Sequence, residues 1–285
     1  MLSNVSGFNV ASIFERVAQN VPDREAIICG DARLTYGEFD KRANRVAHYL
    51  QSVGIVKGDH VAIYAFNRIE WVEAMLACYK LCAVPVNVNY RYVEDELQYL
   101  LNDADVKAIV FEQQFGPLLA AIKQKLPTLK HYIAMEDGSG ASLAGLDCVD
   151  YGTVIAQQSD APLNIERSGD DLYVLYTGGT TGMPKGVVWR HEDVIMALGG
   201  GLDMTTGVPL ASAEIMADRC AQPNAFAMRS LQLAPLMHGA AQWGLLRALF
   251  EGGAVIFSDK KSFDADHVWQ LIGKEKANVM LITGD

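Results

Sequence analysis

The residues Leu175-Tyr-Thr-Gly-Gly-Thr-Thr-Gly-Met-Pro-Lys-Gly186 put glycines at 178, 179 and 182, threonines at 177, 180 and 181, and a lysine at 185. Glycines remove side-chain bulk, so backbone N–H groups can close around phosphate oxygens. Thr177, Thr180 and Thr181 add hydroxyl donors. Lys185 adds a full positive charge that can stabilise a leaving pyrophosphate, and Pro184 stiffens the approach to it. The spacing is not that of a Walker A loop, because Pro184 precedes the lysine and Gly186 follows it. No G-x-G-x-x-G opens a helix here, which argues against a dinucleotide site. A plain Gly/Thr turn between two strands leaves the order ending in Pro-Lys-Gly unexplained. A second candidate is His238, which follows an apolar run. Taken alone, such a histidine is more often a structural group.

These residues need a frame, and short apolar runs alternating with amphipathic segments provide one. Strands are predicted at Glu25–Cys29, His60–Phe66, Val84–Val88, Val106–Phe111, His131–Met135, Asp171–Tyr176, Gly186–Trp189, Ser230–Ala234, Ala254–Phe257 and Asn278–Ile282. Helices are predicted from the capping box Thr35-Tyr-Gly-Glu38 to about Val53, and over Ile69–Ala83, Glu94–Asn102, Pro117–Lys125, His191–Leu198, Gly239–Phe250 and Asp264–Lys274. Residues 199–230 read as irregular with some helix. The polar run Glu136–Gly140 is the best internal linker, with a sub-domain boundary expected near 136–170. Strand–helix alternation argues for an α/β fold with layered, largely parallel β-sheets flanked by helices.

Composition narrows the function. The chain has 285 residues, half of them hydrophobic and 20% charged, enough apolar material for a sizeable core. Lys and Arg number 24 against 34 Asp and Glu, a formal charge of −10. That balance argues against non-specific nucleic-acid binding. Five cysteines, at 29, 78, 82, 148 and 220, are an odd number. Cys78 and Cys82 would share a helix face. They read as small buried hydrophobes, because no partner pair completes a metal site, and none is assigned. Reduced thiols suit a cytoplasmic protein. No signal peptide or transmembrane segment is read, which leaves peripheral contact with a membrane surface open.

At this point a family resemblance emerges. Tyr176 to Gly186 resembles the phosphate-binding signature of the adenylate-forming (AMP-binding) superfamily, which holds acyl-CoA synthetases, firefly luciferases and nonribosomal peptide synthetase adenylation domains. The commonest form of that signature has Ser where this chain has Gly178. Leu34-Thr-Tyr-Gly-Glu-Phe39, Gly58-Asp-His-Val-Ala62, Leu81-Cys-Ala-Val-Pro-Val-Asn-Val-Asn89 and Ala234-Pro-Leu-Met-His-Gly239 resemble further motifs of the same family. Trp189-Arg-His-Glu-Asp193 resembles the acyl-CoA synthetase branch acting on long-chain or steroid-side-chain acids.

The resemblance implies the N-terminal part of the large adenylate-forming domain over 1–285, with the small C-terminal domain absent. It implies an ATP-dependent acid–CoA ligase that uses Mg2+ and coenzyme A, with a fatty or steroid-side-chain acid as partner. Thr177, Gly178, Gly179, Thr180, Thr181, Gly182 and Lys185 become the phosphate loop. With Lys185 as the other catalytic residue, His238 lines the acyl pocket and positions the acid or gates access to it, and His191 matches a frequent family histidine for which a helix-start packing role is at least as strong a reading. Thr283-Gly-Asp285 gets no ribose role, because the family's Thr-Gly-Asp comes much later. The family's adenine-contacting motif, its Mg2+-holding Glu and its catalytic lysine are expected beyond residue 285. The isolated chain is therefore expected to have little ligase activity, the alternative being a non-catalytic fragment that keeps only a phosphate-binding loop. An uncovered sheet edge would favour self-association.

Overall fold

The computed structural model describes residues 7–179, 182–203 and 206–281. Thr180, Thr181 and the terminal Thr283-Gly-Asp285 lie outside the described residues. In chain order the elements are α1 (Val10–Asn20), β1 (Glu25–Cys29), β2 (Ala32–Thr35), α2 (Tyr36–Ser52), β3 (His60–Tyr64), α3 (Ile69–Lys80) and β4 (Val84–Asn87). There follow α4 (Glu94–Asp103), β5 (Ala108–Glu112), α5 (Gly116–Ile122), β6 (His131–Met135), β7 (Cys148–Asp150) and α6 (Tyr151–Gln157). The rest are β8 (Leu172–Gly179), β9 (Gly182–Arg190), α7 (His191–Ala197), α8 (Ala213–Asp218), β10 (Arg229–Gln232), α9 (Gly239–Phe250), β11 (Ala254–Phe257), α10 (Ala265–Glu275) and β12 (Val279–Leu281).

Two five-stranded sheets form the frame. One has the order β12-β10-β11-β1-β2, with β2 alone antiparallel to its neighbour. The other, β4-β3-β5-β6-β7, is parallel throughout. Strand alternation sends successive side chains to opposite faces, and the cores divide accordingly. Ile27, Val255 and Phe257 of the first sheet and Val61, Ile63 and Val110 of the second share one core with α1, α2, α3 and α9. Ala62, Tyr64 and Ile109 face the other way, onto α4 and α5. Ile28, Leu231 and Ile256 face α10. The result is five layers, helix–sheet–helix–sheet–helix, which fits the expected α/β class.

Local rules explain most element ends. Thr35 caps α2 through the expected capping box, accepting from the Glu38 N–H while the Glu38 carboxylate accepts from the Thr35 N–H at 2.8 Å. The helix stripe Phe39, Ala43, Val46, Ala47 and Leu50 is buried. α3 stops three residues before the predicted Ala83. Cys82 takes φ +55, and the Ala83 N–H returns to the Cys78 carbonyl at 2.9 Å, the closing bond of a left-handed helix end. Cys78 and Cys82 are both buried, but Cys82 lies beyond the helix rather than on its face.

Candidate phosphate-binding hairpin and histidine turn

β8 and β9 form a separate antiparallel pair carrying the Gly/Thr run at its tip. Thr177 pairs with Lys185 and Gly179 with Gly182, so Gly178 faces Met183 and Pro184 across an irregularity in the ladder. The pairings on either side of it carry β9 back to Gly182 rather than the predicted Gly186. Pro184 has no N–H to donate, and a bulged edge strand is where a strand tolerates it. Pro184 is buried, whereas Thr177, Gly178, Gly182 and Lys185 are exposed. A side chain added at Gly178 or Gly182 would meet no described residue within 4 Å. Gly186 is different: its α-carbon lies under the Tyr176 ring, and a Cβ there would come within 3.0 Å of it.

Alternation along the hairpin sorts its faces. Thr177 and Lys185 share a face with the pairs Leu175–Val187 and Tyr173–Trp189. On that face Leu175 touches the start of α9 at Gly239, the residue after His238. The face bearing the lysine is therefore the one against which the histidine segment packs. Val174 and Tyr176 point the other way, into the core under α4, where the Tyr176 hydroxyl donates to Asp103 at 2.8 Å.

The segment Ala234–His238 joins β10 to α9 with no regular structure of its own, so its backbone groups need partners. Three side-chain amides supply them. Asn67 Nδ2 donates to the Ala234 carbonyl at 3.0 Å, and its Oδ1 accepts from the Leu236 N–H at 2.7 Å. Gln242 Nε2 donates to the Leu236 carbonyl at 2.8 Å, and its Oε1 accepts from the Tyr173 hydroxyl at 2.6 Å. Asn87 Nδ2 donates to the Met237 carbonyl at 2.6 Å and to the Tyr176 carbonyl at 2.8 Å. None of these amides was singled out as a site residue by sequence reasoning. Asn87 lies inside a segment quoted for its family resemblance, but its partners are 89 and 150 residues away.

His238 holds the N-cap position of α9 without a side-chain capping bond, and it is exposed. Partial desolvation, then the positive charge of Arg91, hold its pKa below the ordinary histidine value. Both effects favour the neutral imidazole. His191, by contrast, is buried. Its Nδ1 accepts from the Val10 N–H at 3.3 Å and lies 3.0 Å from Asn9 Nδ2, tying α7 to the start of α1. The ring also meets Tyr79 edge-on at 4.7 Å. Burial pulls its pKa down to about 4. Its place is in the packing. Gly199, Gly200 and Gly201 press against Ile195, Arg247 and Met196.

On the far side of the histidine turn a cleft of about 380 Å³ opens at the C-terminal ends of strands from both sheets. Asn67, Pro235 and the stacked pair Phe66–Tyr90, 4.1 Å between ring centres, line it. Such strand ends are where open α/β sheets bind ligands. Among the described residues no group of three His, Cys, Asp or Glu side chains is placed to hold a metal ion, so no step is assigned to Mg2+. Nor is any described helix long and apolar enough to cross a membrane.

The Gly/Thr hairpin, its lysine and the two-sheet frame meet in a comparison with known families. The model of the AMP-binding enzyme family matches residues 14–284. The chain belongs to that family. It is 42% identical over 277 residues to 3-oxocholest-4-en-26-oate–CoA ligase of Rhodococcus rhodochrous, covering 97% of this chain and 49% of the relative. It is 40% identical over 300 residues to the medium-chain acyl-CoA ligase Mig of Mycobacterium avium, covering 100% of this chain and 54% of the relative. The chain thus spans about half the length of these relatives. Among solved structures it resembles the inhibitor-bound N-terminal domain of FACL13 from Mycobacterium tuberculosis, with TM-score 0.77, 26% identity and coverage of 95% of this chain and 62% of that one. An anthranilate CoA ligase holding anthranoyl-AMP shares the fold at TM-score 0.79 and 22% identity, over 98% of this chain and 50% of that one.

Proposed function

We propose that this AMP-binding family chain carries the phosphate loop and the acid-positioning histidine of an ATP-dependent acid–CoA ligase. The observation that carries the reading is the placing of Thr177 and Lys185 on the hairpin face against which the His238 segment packs. The exposed Thr177 hydroxyl and Lys185 ammonium suit the oxygens of a polyphosphate, and the open surroundings of Gly178 and Gly182 let those oxygens approach the backbone. Thr180, Thr181 and Gly179 complete the proposed loop.

In the first half-reaction a carboxylate oxygen attacks the α-phosphorus of ATP. The bond from that phosphorus to the bridging oxygen breaks, and pyrophosphate leaves with the electron pair. A carboxylate is already a nucleophile at pH 7, so alignment and charge neutralisation carry the catalytic load. Lys185 neutralises the departing pyrophosphate, and neutral His238 offers a hydrogen bond to the acid without attracting the phosphates away from the loop. In the second half-reaction the thiol of coenzyme A displaces AMP from the acyl carbon, giving the thioester. Mg2+ would arrive on the nucleotide phosphates, its usual mode of binding beside one or two carboxylates. The acid class we favour is a fatty or steroid-side-chain acid, supported by what the relatives' names say they act on.

The test is ATP binding by calorimetry on the wild-type chain and on Lys185→Ala, with acid-dependent ATP–pyrophosphate exchange measured alongside. Binding that Lys185→Ala weakens at least tenfold, about 1.4 kcal/mol, supports the reading. Equal binding by both proteins overturns it. Because the chain spans about half the length of its relatives, we propose that these 285 residues alone exchange pyrophosphate poorly. Exchange as fast as that of a full-length relative would refute this last point and leave the loop assignment standing.

A further inference from the structure

Asn87 ends β4, the edge strand of the wholly parallel sheet, and is only 5% exposed. One nitrogen of its amide reaches two carbonyls, Tyr176 at 2.8 Å and Met237 at 2.6 Å. Its oxygen accepts from the Tyr176 N–H, also at 2.8 Å. Tyr176 immediately precedes the first loop residue, Thr177, and Met237 immediately precedes His238. A single side chain therefore holds both halves of the proposed site, each one residue away from the group that would touch substrate.

We infer that Asn87 is a positioning residue that fixes the spacing between the phosphate loop and His238. The inference rests on the phosphate-loop reading above. The residue type is demanding. Only a primary amide offers two donor hydrogens and an acceptor in one plane. Aspartate keeps the acceptor for Tyr176 N–H but turns an oxygen toward two carbonyls. An apolar side chain takes their partner from all three backbone groups, each in a buried setting where an unmade bond is costly. The hairpin is a two-stranded sheet of its own, so its anchorage to the larger frame matters more than it would for a strand inside a sheet.

Spacing can be read directly from charge. Pyrophosphate bound at the loop raises the pKa of a nearby imidazole, and the rise shrinks with distance. The experiment follows the His238 ring by NMR across pH, its signal assigned with His238→Gln, without ligand and at saturating inorganic pyrophosphate. Wild type and Asn87→Asp are compared after thermal unfolding shows the variant folded. The expected result is a pyrophosphate-induced rise in the wild type that at least halves in Asn87→Asp at saturation. An unchanged rise in the folded variant overturns the inference while leaving the loop reading intact. Pyrophosphate that binds equally well to Lys185→Ala removes the loop reading and this inference together. Should Asn87→Asp and Asn87→Ser both fail to fold, hydrogen exchange on the wild type decides. Pyrophosphate must slow the Tyr176 and His238 N–H groups together; protection of Tyr176 alone overturns the inference.

Discussion

Leu175 and Gly239 lie in contact, so close that a Cβ on Gly239 would sit 2.5 Å from Leu175 Cδ2 and 2.8 Å from the Trp243 ring. Leu175 is buried and its methyl has little room to turn aside, so Gly239→Ala crowds the contact between α9 and the hairpin. We expect a loss of about 1–3 kcal/mol, the usual cost of overpacking, measured by urea unfolding. ATP binding should fall as well, since His238 moves with the helix end. Gly273→Ala is the control. It lies in α10 with nothing within 4 Å, and should gain about 0.5–1 kcal/mol from helix propensity.

Gly178 and Gly186 are both loop-region glycines with opposite expectations. No described residue lies within 4 Å of a Cβ at Gly178, so Gly178→Ser should fold as well as the wild type and supply a hydroxyl to bound phosphate. A net hydrogen bond of about 0.5–1.5 kcal/mol corresponds to ATP binding tighter by a few-fold to about tenfold. Gly186→Ser meets the Tyr176 ring at 3.0 Å and should lower both the melting temperature and the ATP affinity. Calorimetry and thermal unfolding on the two variants check both statements.

Arg91 disfavours the imidazolium form of His238. Removing a positive neighbour favours the charged form, so Arg91→Ala should raise the His238 pKa toward the ordinary value near 6.5. A titration of the His238 ring by NMR would show it. A pKa that falls or stays fixed in Arg91→Ala contradicts the placing of Arg91's charge beside this ring.

His191 gives the protein a pH-dependent stability unrelated to its chemistry. Its folded pKa of about 4 lies below the unfolded value near 6.5. The unfolded chain therefore binds the proton first as pH falls. The contribution is complete above about pH 6.5 and is lost progressively down to about pH 4, on the order of 3 kcal/mol in all. Urea midpoints measured between pH 7 and pH 4 should fall more steeply for the wild type than for His191→Gln, whatever the variant's own stability at pH 7.

How much of this was legible in the sequence varies by element. Thr35 and Glu38 announce α2 because a capping box is wholly local. The strand Ala254–Phe257 is a bare apolar run and was found where predicted. No element is predicted at α1, although Asn9 caps it and Val10, Ile13, Phe14 and Val17 keep helical spacing. Nor are β2, β7 and α6 predicted, being short and bounded by polar residues. The loop residues were legible from their types and order. What the sequence could not disclose is what holds them. Asn67 finds Ala234 and Leu236, and Asn87 finds Met237, across more than half of the chain. An asparagine at a strand end carries no local mark of such a partner.

The strand order has a further consequence, in the time domain of synthesis. β3 to β7 arrive consecutively, so the wholly parallel sheet can assemble as soon as residue 150 has emerged, and domains do begin folding from the N-terminal side during synthesis. β1 and β2 emerge earlier still but must wait for β11, because Ile27 pairs with Val255. Until then they are a lone hairpin, a marginal structure in water, with Ile27, Ile28 and Cys29 unpaired on that edge. β10 waits too, since its partners on both sides are β11 and β12. The hairpin with the lysine can dock on β4 well before β10 is paired, so the histidine is the last part of the proposed site to be locked into place.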